Sequence, residues 1–264
     1  MRRAFEPSCV TSVKVDRSVA IEAAEVARDG KETVRGRKIA VETSSKAPAR
    51  KPPTTQPRTG GRLAAIALNK QLVSSATAAD VLSLFEDKGG DFNHVNFATS
   101  LHRLGVLGRS FETSSAPLLH KLVDRATSSI IESNEWESRH LANACWGIAK
   151  IGNAEAPALF AAVAAEAPKK IATFKTQELA NTVWAYATAG VSAPALFETV
   201  AAESSKKIAT FDPQNLANTV WAYATAGVAA PALFKAVAAE ASKKIAMFSP
   251  QELANTVWAY ATAG

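Results

Sequence analysis

The sequence predicts an all-α fold, an α-solenoid in which helix pairs of about 37–38 residues stack as a right-handed superhelix. Four tryptophans recur at a spacing of 37 or 38 residues: Trp146, Trp184, Trp221 and Trp258. Residues 191–227 and 228–264 differ at only seven of 37 aligned positions. From about residue 64 onward, helix-sized apolar segments alternate with short breaks, and no segment alternates as a strand would. A fixed period in an all-helical sequence is typical of stacked repeats.

Residues 1–62 are predicted to be a disordered basic tail. They carry fourteen Lys and Arg against seven Asp and Glu, a charge of +7, and the remaining residues sum to −1, which gives the net charge of +6. Ser, Thr, Pro and Gly are frequent and no apolar period is sustained beyond a short helix expected at Val19–Arg28. The opening MRRAF makes this tail a candidate targeting segment, although five acidic residues before position 30 are unusual for one.

The rest of the chain divides into divergent repeats over 63–153 and regular repeats over 154–264, giving about five helix pairs between 77 and 264. Residues 228–264 are as apolar as the internal copies and lack the polar outer face of a terminal cap. We therefore expect that the array is truncated at its C-terminal end, or that this end pairs with another molecule. Self-association is the predicted consequence.

Each regular unit has recognisable helix boundaries. The first helix opens at a proline, as at Pro231, because a missing N–H costs nothing in the first turn. It ends on two lysines, which complement the negative end of the helix dipole. Ser249 and Glu252 form a capping box for the second helix, and Gly264 follows its end as Gly190 and Gly227 do in the copies.

The sequences of the second helices resemble those of a known family. PQELANTVWAYATAG, with its variants TQELANTVWAYATAG and PQNLANTVWAYATAG, resembles the octotricopeptide repeat, whose signature is PQ-L-A-N---W-A-A--G. FNHVNFATSLHRLG resembles the opening unit of proteins that combine such repeats with a FAST-kinase-like or RAP region. It also resembles the subunit 6 domain of the RNA-editing substrate-binding complex. The likeness covers residues 77–264, although Lys175-Thr176 departs from the usual cap and proline, and no RAP-like segment is present.

The resemblance implies a helical-repeat RNA binder that acts on transcripts in mitochondria or chloroplasts, in processing, stability, editing or translation. If no organelle imports the chain, it is expected in the cytoplasm. A non-enzymatic binder of single-stranded RNA within a larger protein complex is therefore the leading hypothesis. The rival hypothesis is a protein-binding scaffold like armadillo and HEAT arrays, which the zero net charge of residues 154–264 favours.

Paired lysines recur once per repeat and are the candidate phosphate contacts: Lys169, Lys170, Lys206, Lys207, Lys243 and Lys244. On a solenoid they form a stripe along one edge, which can follow an RNA backbone despite a neutral total charge. Their other role is to complement the helix dipole and to keep the protein soluble. The position of the lysine pairs in the sequence is compatible with both roles.

Candidate base contacts lie on the second helices, in the first turn and one turn further. They are Lys175, Gln177, Glu178, Asn181, Asp212, Gln214, Asn215, Asn218, Ser249, Gln251, Glu252 and Asn255. The residues that vary amid near-identity are the ones able to encode base specificity. Alternatively, the first-turn residues are solvent-exposed helix caps. The asparagines, with Asn143, would then hydrogen-bond a neighbouring loop carbonyl and set the stacking register.

The four recurring tryptophans are predicted to be structural core, since Ala and Val flank them. No catalytic motif occurs, and a residue repeated in every unit is rarely a catalyst. Cys9 and Cys145 are too few for a disulfide framework, the four histidines are scattered, and no zinc-ligand spacing appears. No enzyme activity, cofactor, metal or membrane span is expected.

Overall fold

The computed structural model describes residues 59–108, 115–152 and 156–263. The predicted all-α solenoid is confirmed, and these residues contain no strand. The predicted tail, its candidate targeting segment and the short helix at Val19–Arg28 lie outside the described residues, with one exception. The first helix, α1, begins at Thr59, so positions 59–62 are helical rather than part of a tail.

Ten further helices follow α1 (Thr59–Ser74) in the described residues and form five pairs. The first helices of the pairs are α2 (Ala78–Lys88), α4 (Ala116–Glu132), α6 (Pro157–Glu166), α8 (Pro194–Lys207) and α10 (Pro231–Lys244). The second helices are α3 (His94–Leu107), α5 (Ser138–Lys150), α7 (Thr176–Ala189), α9 (Pro213–Ala226) and α11 (Pro250–Ala263). Each second helix packs against the second helices of the neighbouring pairs, and α1 packs against α3. Two layers of parallel helices result.

In four of the five pairs, a 3₁₀ segment and an aromatic residue connect the two helices, whereas residues 133–137 between α4 and α5 contain no 3₁₀ segment. The turns that follow the regular first helices span Ala167–Thr173, Ile208–Thr210 and Ile245–Met247. A buried aromatic residue then precedes each second helix: Phe92, Trp136, Phe174, Phe211 and Phe248. Trp136 is fully buried, so the divergent part of the array uses an indole where the regular part uses a phenyl ring.

Tyrosines join the two helices within each regular pair. The hydroxyls of Tyr186 and Tyr223 donate hydrogen bonds to the carbonyl oxygens of Phe160 and Phe197, at 2.5 and 2.6 Å. Both rings are fully buried, and burial raises the pKa of each phenol far above its ordinary value. These hydroxyls therefore act as internal donors and do not reach the surface.

The recurring tryptophans are not in the centre of the core, which corrects the prediction. Trp146, Trp184 and Trp221 are half-buried at its edge, and Trp258 is 45% exposed. The core position one residue earlier belongs to Cys145 and its aliphatic counterparts, which are fully buried in the three internal pairs. The reason is helical geometry: a side chain one position further along the helix turns about 100° away from the neighbouring helix.

The outer face of α11 exposes residues that the internal copies bury. Val257 is 68% exposed, whereas Val183 and Val220 are fully buried at the same position of α7 and α9. The predicted self-association through this end stays a prediction. In the described part of the chain, no helix has the length and apolar character needed to cross a membrane.

Candidate functional site

Each regular repeat contains a lysine clamp, in which two lysines share one buried glutamate. The three clamps are Glu166–Lys169–Lys170, Glu203–Lys206–Lys207 and Glu240–Lys243–Lys244. All six ion-pair distances lie between 2.8 and 3.0 Å. The lysine hydrogen bonds hold the pKa of each glutamate below its ordinary value. Since one carboxylate faces two ammonium groups, each clamp carries a net charge of +1.

The second lysine of each clamp, the inner lysine, joins adjacent repeats. Lys207 donates to the carbonyl oxygens of Ala172 and Phe174 in the preceding repeat, both at 2.8 Å. Lys244 makes the same pair of hydrogen bonds to the carbonyls of residues 209 and 211, and Lys170 to those of residues 134 and 136. With the glutamate, these acceptors occupy all three ammonium hydrogens. The inner lysines therefore stabilise the stack and are not available to bind phosphate, which corrects that part of the prediction.

The first lysine of each clamp, the outer lysine, faces solvent. Lys169, Lys206 and Lys243 have 66, 72 and 71% of their side chains exposed, whereas the inner lysines expose only 22–28%. Because the inner contacts repeat from unit to unit, the outer lysines lie along one edge of the array. The second helices begin at that edge, and their N-terminal dipoles add partial positive charge.

Several predicted base contacts serve as helix caps. Asp212 accepts a hydrogen bond from the backbone N–H of Asn215 at 2.7 Å, and Ser249 and Glu252 form the predicted capping box. Glu178 accepts from the backbone N–H of Lys175 at 2.9 Å. The variation at these positions therefore follows the chemistry of the cap. Among the first-turn candidates, Lys175, Gln177 and Gln214 remain exposed with no hydrogen bond from their side chains to the described residues.

The asparagine row consists of Asn143, Asn181, Asn218 and Asn255, one on each of the last four second helices. The side-chain amides of the first three are half-buried and have no hydrogen-bond partner in the described ranges. Asn255, on the terminal helix, accepts from the Gln251 amide at 2.9 Å. The alternative role, hydrogen bonds to a neighbouring loop carbonyl, is therefore not observed. Each internal repeat instead presents an unpaired amide beside its tryptophan.

The indole row, formed by Trp146, Trp184, Trp221 and Trp258, runs beside the asparagine row. Its ring centroids are separated by 6.4, 6.5 and 6.4 Å, with interplanar angles of 30–36°. His102 stacks on Trp146 at 5.0 Å and extends the row into the divergent repeats. The Lys150 ammonium lies 5.8 Å from the centroid of Trp184, so the row already accepts a cation on one indole.

The sequence did not predict a histidine cluster in the divergent repeats. The rings of His94 and His140 lie 5.0 Å apart, and His94 Nδ1 is 3.1 Å from a Glu135 carboxylate oxygen. Burial, aided by the nearby charge of His94, lowers the pKa of His140 to about 4. The neutral ring then accepts a hydrogen bond from the backbone N–H of Glu137. The described residues contain no group of side chains suited to hold a metal ion.

Comparison with known proteins identifies the family. A search of curated proteins finds no match. Residues 70–263 match the family model described as RNA-editing substrate-binding complex 6 protein. The resemblance to that family is thus confirmed, whereas the resemblance to octotricopeptide and FAST-kinase-like proteins stays a prediction. Because the match spans most of the sequence and nearly all of the described helices, the chain belongs to the RNA-editing substrate-binding complex 6 protein family.

Proposed function

We propose that the protein is a non-catalytic, RNA-binding subunit of an RNA-editing substrate-binding complex. Membership of the family supports a role in RNA editing alongside other proteins, and the solenoid supplies a long surface for such a ligand. The family also supports the mitochondrion rather than the chloroplast as the site of action.

The observation that carries RNA binding is the arrangement of the outer lysines. One exposed ammonium per regular repeat lies at the edge where the second helices begin. The inner lysine neutralises the buried glutamate, so the outer ammonium is the net charge of its clamp. Regularly spaced cations beside helix N-termini suit the phosphates of a single strand.

Binding at this edge is proposed to be largely independent of base sequence. The positions that vary between repeats cap helices through Glu178, Asp212 and Ser249. The exposed glutamines in the first turn are the same in each regular repeat, so they offer no sequence code. Phosphate contacts position a strand without reading it.

The test is binding of the full chain to a random-sequence 20-nucleotide RNA between 50 and 200 mM salt, followed by fluorescence anisotropy. Replacement of Lys169, Lys206 and Lys243 by Gln removes three phosphate contacts. The slope of log K against log salt is therefore expected to fall in magnitude by about 2, at about 0.7 per contact.

The matched control replaces three other exposed lysines, Lys70, Lys121 and Lys235, by Gln. It changes the net charge equally and leaves the basic residues before position 59 in place. Its salt slope is expected to stay close to that of the wild type. Equal losses in both variants would show that the clamps do not bind RNA, and absence of RNA binding by the wild type would reject the proposed function.

A further inference from the structure

The second-helix face carries a hydrogen-bonding surface that the RNA proposal does not use. It combines the asparagine row with the indole row, at one amide and one indole per repeat. The amides of Asn143, Asn181 and Asn218 and the indole N–H groups of Trp184 and Trp221 have no partner within the described ranges. An amide offers donors and an acceptor side by side, which matches the N–H and C=O of a peptide backbone.

We propose that this face binds an extended polypeptide segment of a partner protein, with lysine or arginine at every second residue. The spacing supports this choice. Neighbouring indoles of the row are 6.4–6.5 Å apart, and two residues of an extended chain span about 6.4–6.8 Å. Along the indole row one repeat therefore corresponds to two peptide residues, and each repeat offers one asparagine to those two residues.

The identity of the rows also fits a backbone ligand. Asn and Trp are the same in the last four repeats, so their contacts repeat without change along the array. A peptide backbone is the same at every second residue, whatever side chains it carries. This regularity is what a uniform row of amides is able to recognise.

Charge favours a basic ligand at this face over a polyanion. Helices α7, α9 and α11 contain no lysine or arginine, and their charged residues are Glu178 and Glu252. Phosphates placed over these three helices would find no lysine or arginine on them to pair with. The half-buried indoles instead attract cations, and Lys150 already lies over Trp184 in this way. In the proposed complex, alternate basic side chains of the peptide take the equivalent place on the following indoles.

The experiment compares two synthetic octapeptides on the full chain by isothermal titration. One alternates lysine and threonine, and the other has four lysines followed by four threonines, so that charge and composition are equal. The alternating peptide is expected to bind at least tenfold more tightly, because only its basic residues match the spacing of the indoles. Equal affinities would mean attraction by charge alone and would overturn the proposal, as would absence of binding by the alternating peptide.

Variants then locate the site. Asn181→Ala with Asn218→Ala is expected to weaken the alternating peptide about 10- to 30-fold, since each substitution removes hydrogen bonds to the backbone. The matched control, Gln177→Ala with Gln214→Ala, lies one turn away on the same helices and should leave affinity unchanged. Equal losses in the two double variants would overturn the placement on the asparagine row.

Two further measurements separate this site from the RNA edge. Substitution of the outer lysines should leave peptide affinity unchanged, so failure of the RNA proposal does not decide this one. An eight-nucleotide RNA whose binding is lost in the Asn181→Ala and Asn218→Ala variant, without loss of peptide binding, would show that the face binds RNA instead. That result would overturn the peptide proposal.

Discussion

The α3–α5 interface of the divergent repeats and the α7–α9 interface of the regular repeats are closed by different means. Between α3 and α5, Gly105 and Gly147 allow the two backbones to meet, and a Cβ built on Gly147 would lie 2.1 Å from the carbonyl oxygen of Leu101. Alanines occupy the corresponding positions of α7, at 187 and 185. At their first helices, neighbouring regular repeats are also joined by the inner lysines, as Lys207 of α8 is to the segment before α7.

The first helices of the divergent and the regular repeats also differ in the contacts that hold them to their neighbours. In α4, Ser129 accepts a hydrogen bond from the indole N–H of Trp136, and no clamp is formed there. Arg125 of α4 lies over the rings of Phe85 and Phe97, at 5.8 and 5.7 Å. The divergent repeats thus depend on close backbone contact and cation–π pairs, whereas the regular repeats depend on charged hydrogen bonds. Two different sets of contacts therefore stabilise the same solenoid architecture.

The largest expected effect is on the glycine interface. Gly147→Ala places a methyl group against backbone, which cannot move aside as a side chain can, so we expect a loss of about 3 kcal/mol in the free energy of unfolding. Urea denaturation measures it. Ala185→Gly, at the corresponding position of α7, serves as the control and should cost only about 1 kcal/mol, from helix propensity. Comparable losses would mean that α3 and α5 do not pack as closely as described.

The next effect separates the two lysines of one clamp. Lys207→Met removes hydrogen bonds to two carbonyls of the preceding repeat and one contact to Glu203, so we expect a loss of about 2 kcal/mol in the free energy of unfolding. Lys206→Met removes an equal charge from a mostly exposed side chain and should cost less than about 0.5 kcal/mol. Thermal and urea unfolding of both variants provides the measurement. Equal costs would contradict the division into inner and outer lysines.

The smallest effect concerns the cap of α5. The His140 ring accepts a hydrogen bond from the backbone N–H of Glu137. At the start of α7, the Glu178 carboxylate accepts the equivalent bond from the backbone N–H of Lys175. The imidazole accepts only when neutral. Because the folded state lowers the pKa of His140 from 6.5 to about 4, the unfolded chain binds the proton more readily. The stabilisation is thus complete above pH 6.5 and is lost as pH falls towards 4.

We expect the free energy of unfolding to fall by about 1.5 kcal/mol between pH 6.5 and pH 5 through this group. In His140→Asn, an amide oxygen replaces the ring nitrogen as acceptor, so this part of the pH dependence should disappear. Urea denaturation at both pH values gives the difference between wild type and variant. A difference that stays constant over this range would show that His140 does not titrate as described.

Local signals predicted the fold well because they act over a few residues. Prolines open α8 and α10 at positions 194 and 231, and Gly190 and Gly227 take the left-handed conformation that ends α7 and α9. The capping box of α11 was also predicted. The divergent start was less predictable, because α1 lacks both the proline and the recurring tryptophan.

The site was only partly predictable, since the relevant partners are distant in sequence. The doubled lysines look equivalent as neighbours in a chain, yet the acceptors of Lys207 lie 33 and 35 residues earlier. Their apolar neighbours predict a core position for the tryptophans. A position one residue away from the buried face is enough to bring an indole to the surface.

The sequence by itself determined the period, the helix boundaries of the regular repeats and the family to which the chain belongs, because each is encoded in a contiguous stretch of residues. Only the tertiary structure decided which lysine faces solvent, that three of the four asparagine amides have no partner among the described residues, and that the indoles form a half-exposed row. These properties depend on which backbone atoms of one repeat reach the next. The distance between neighbouring repeats is set by the packing of helix against helix, so the sequence of a single repeat does not reveal it.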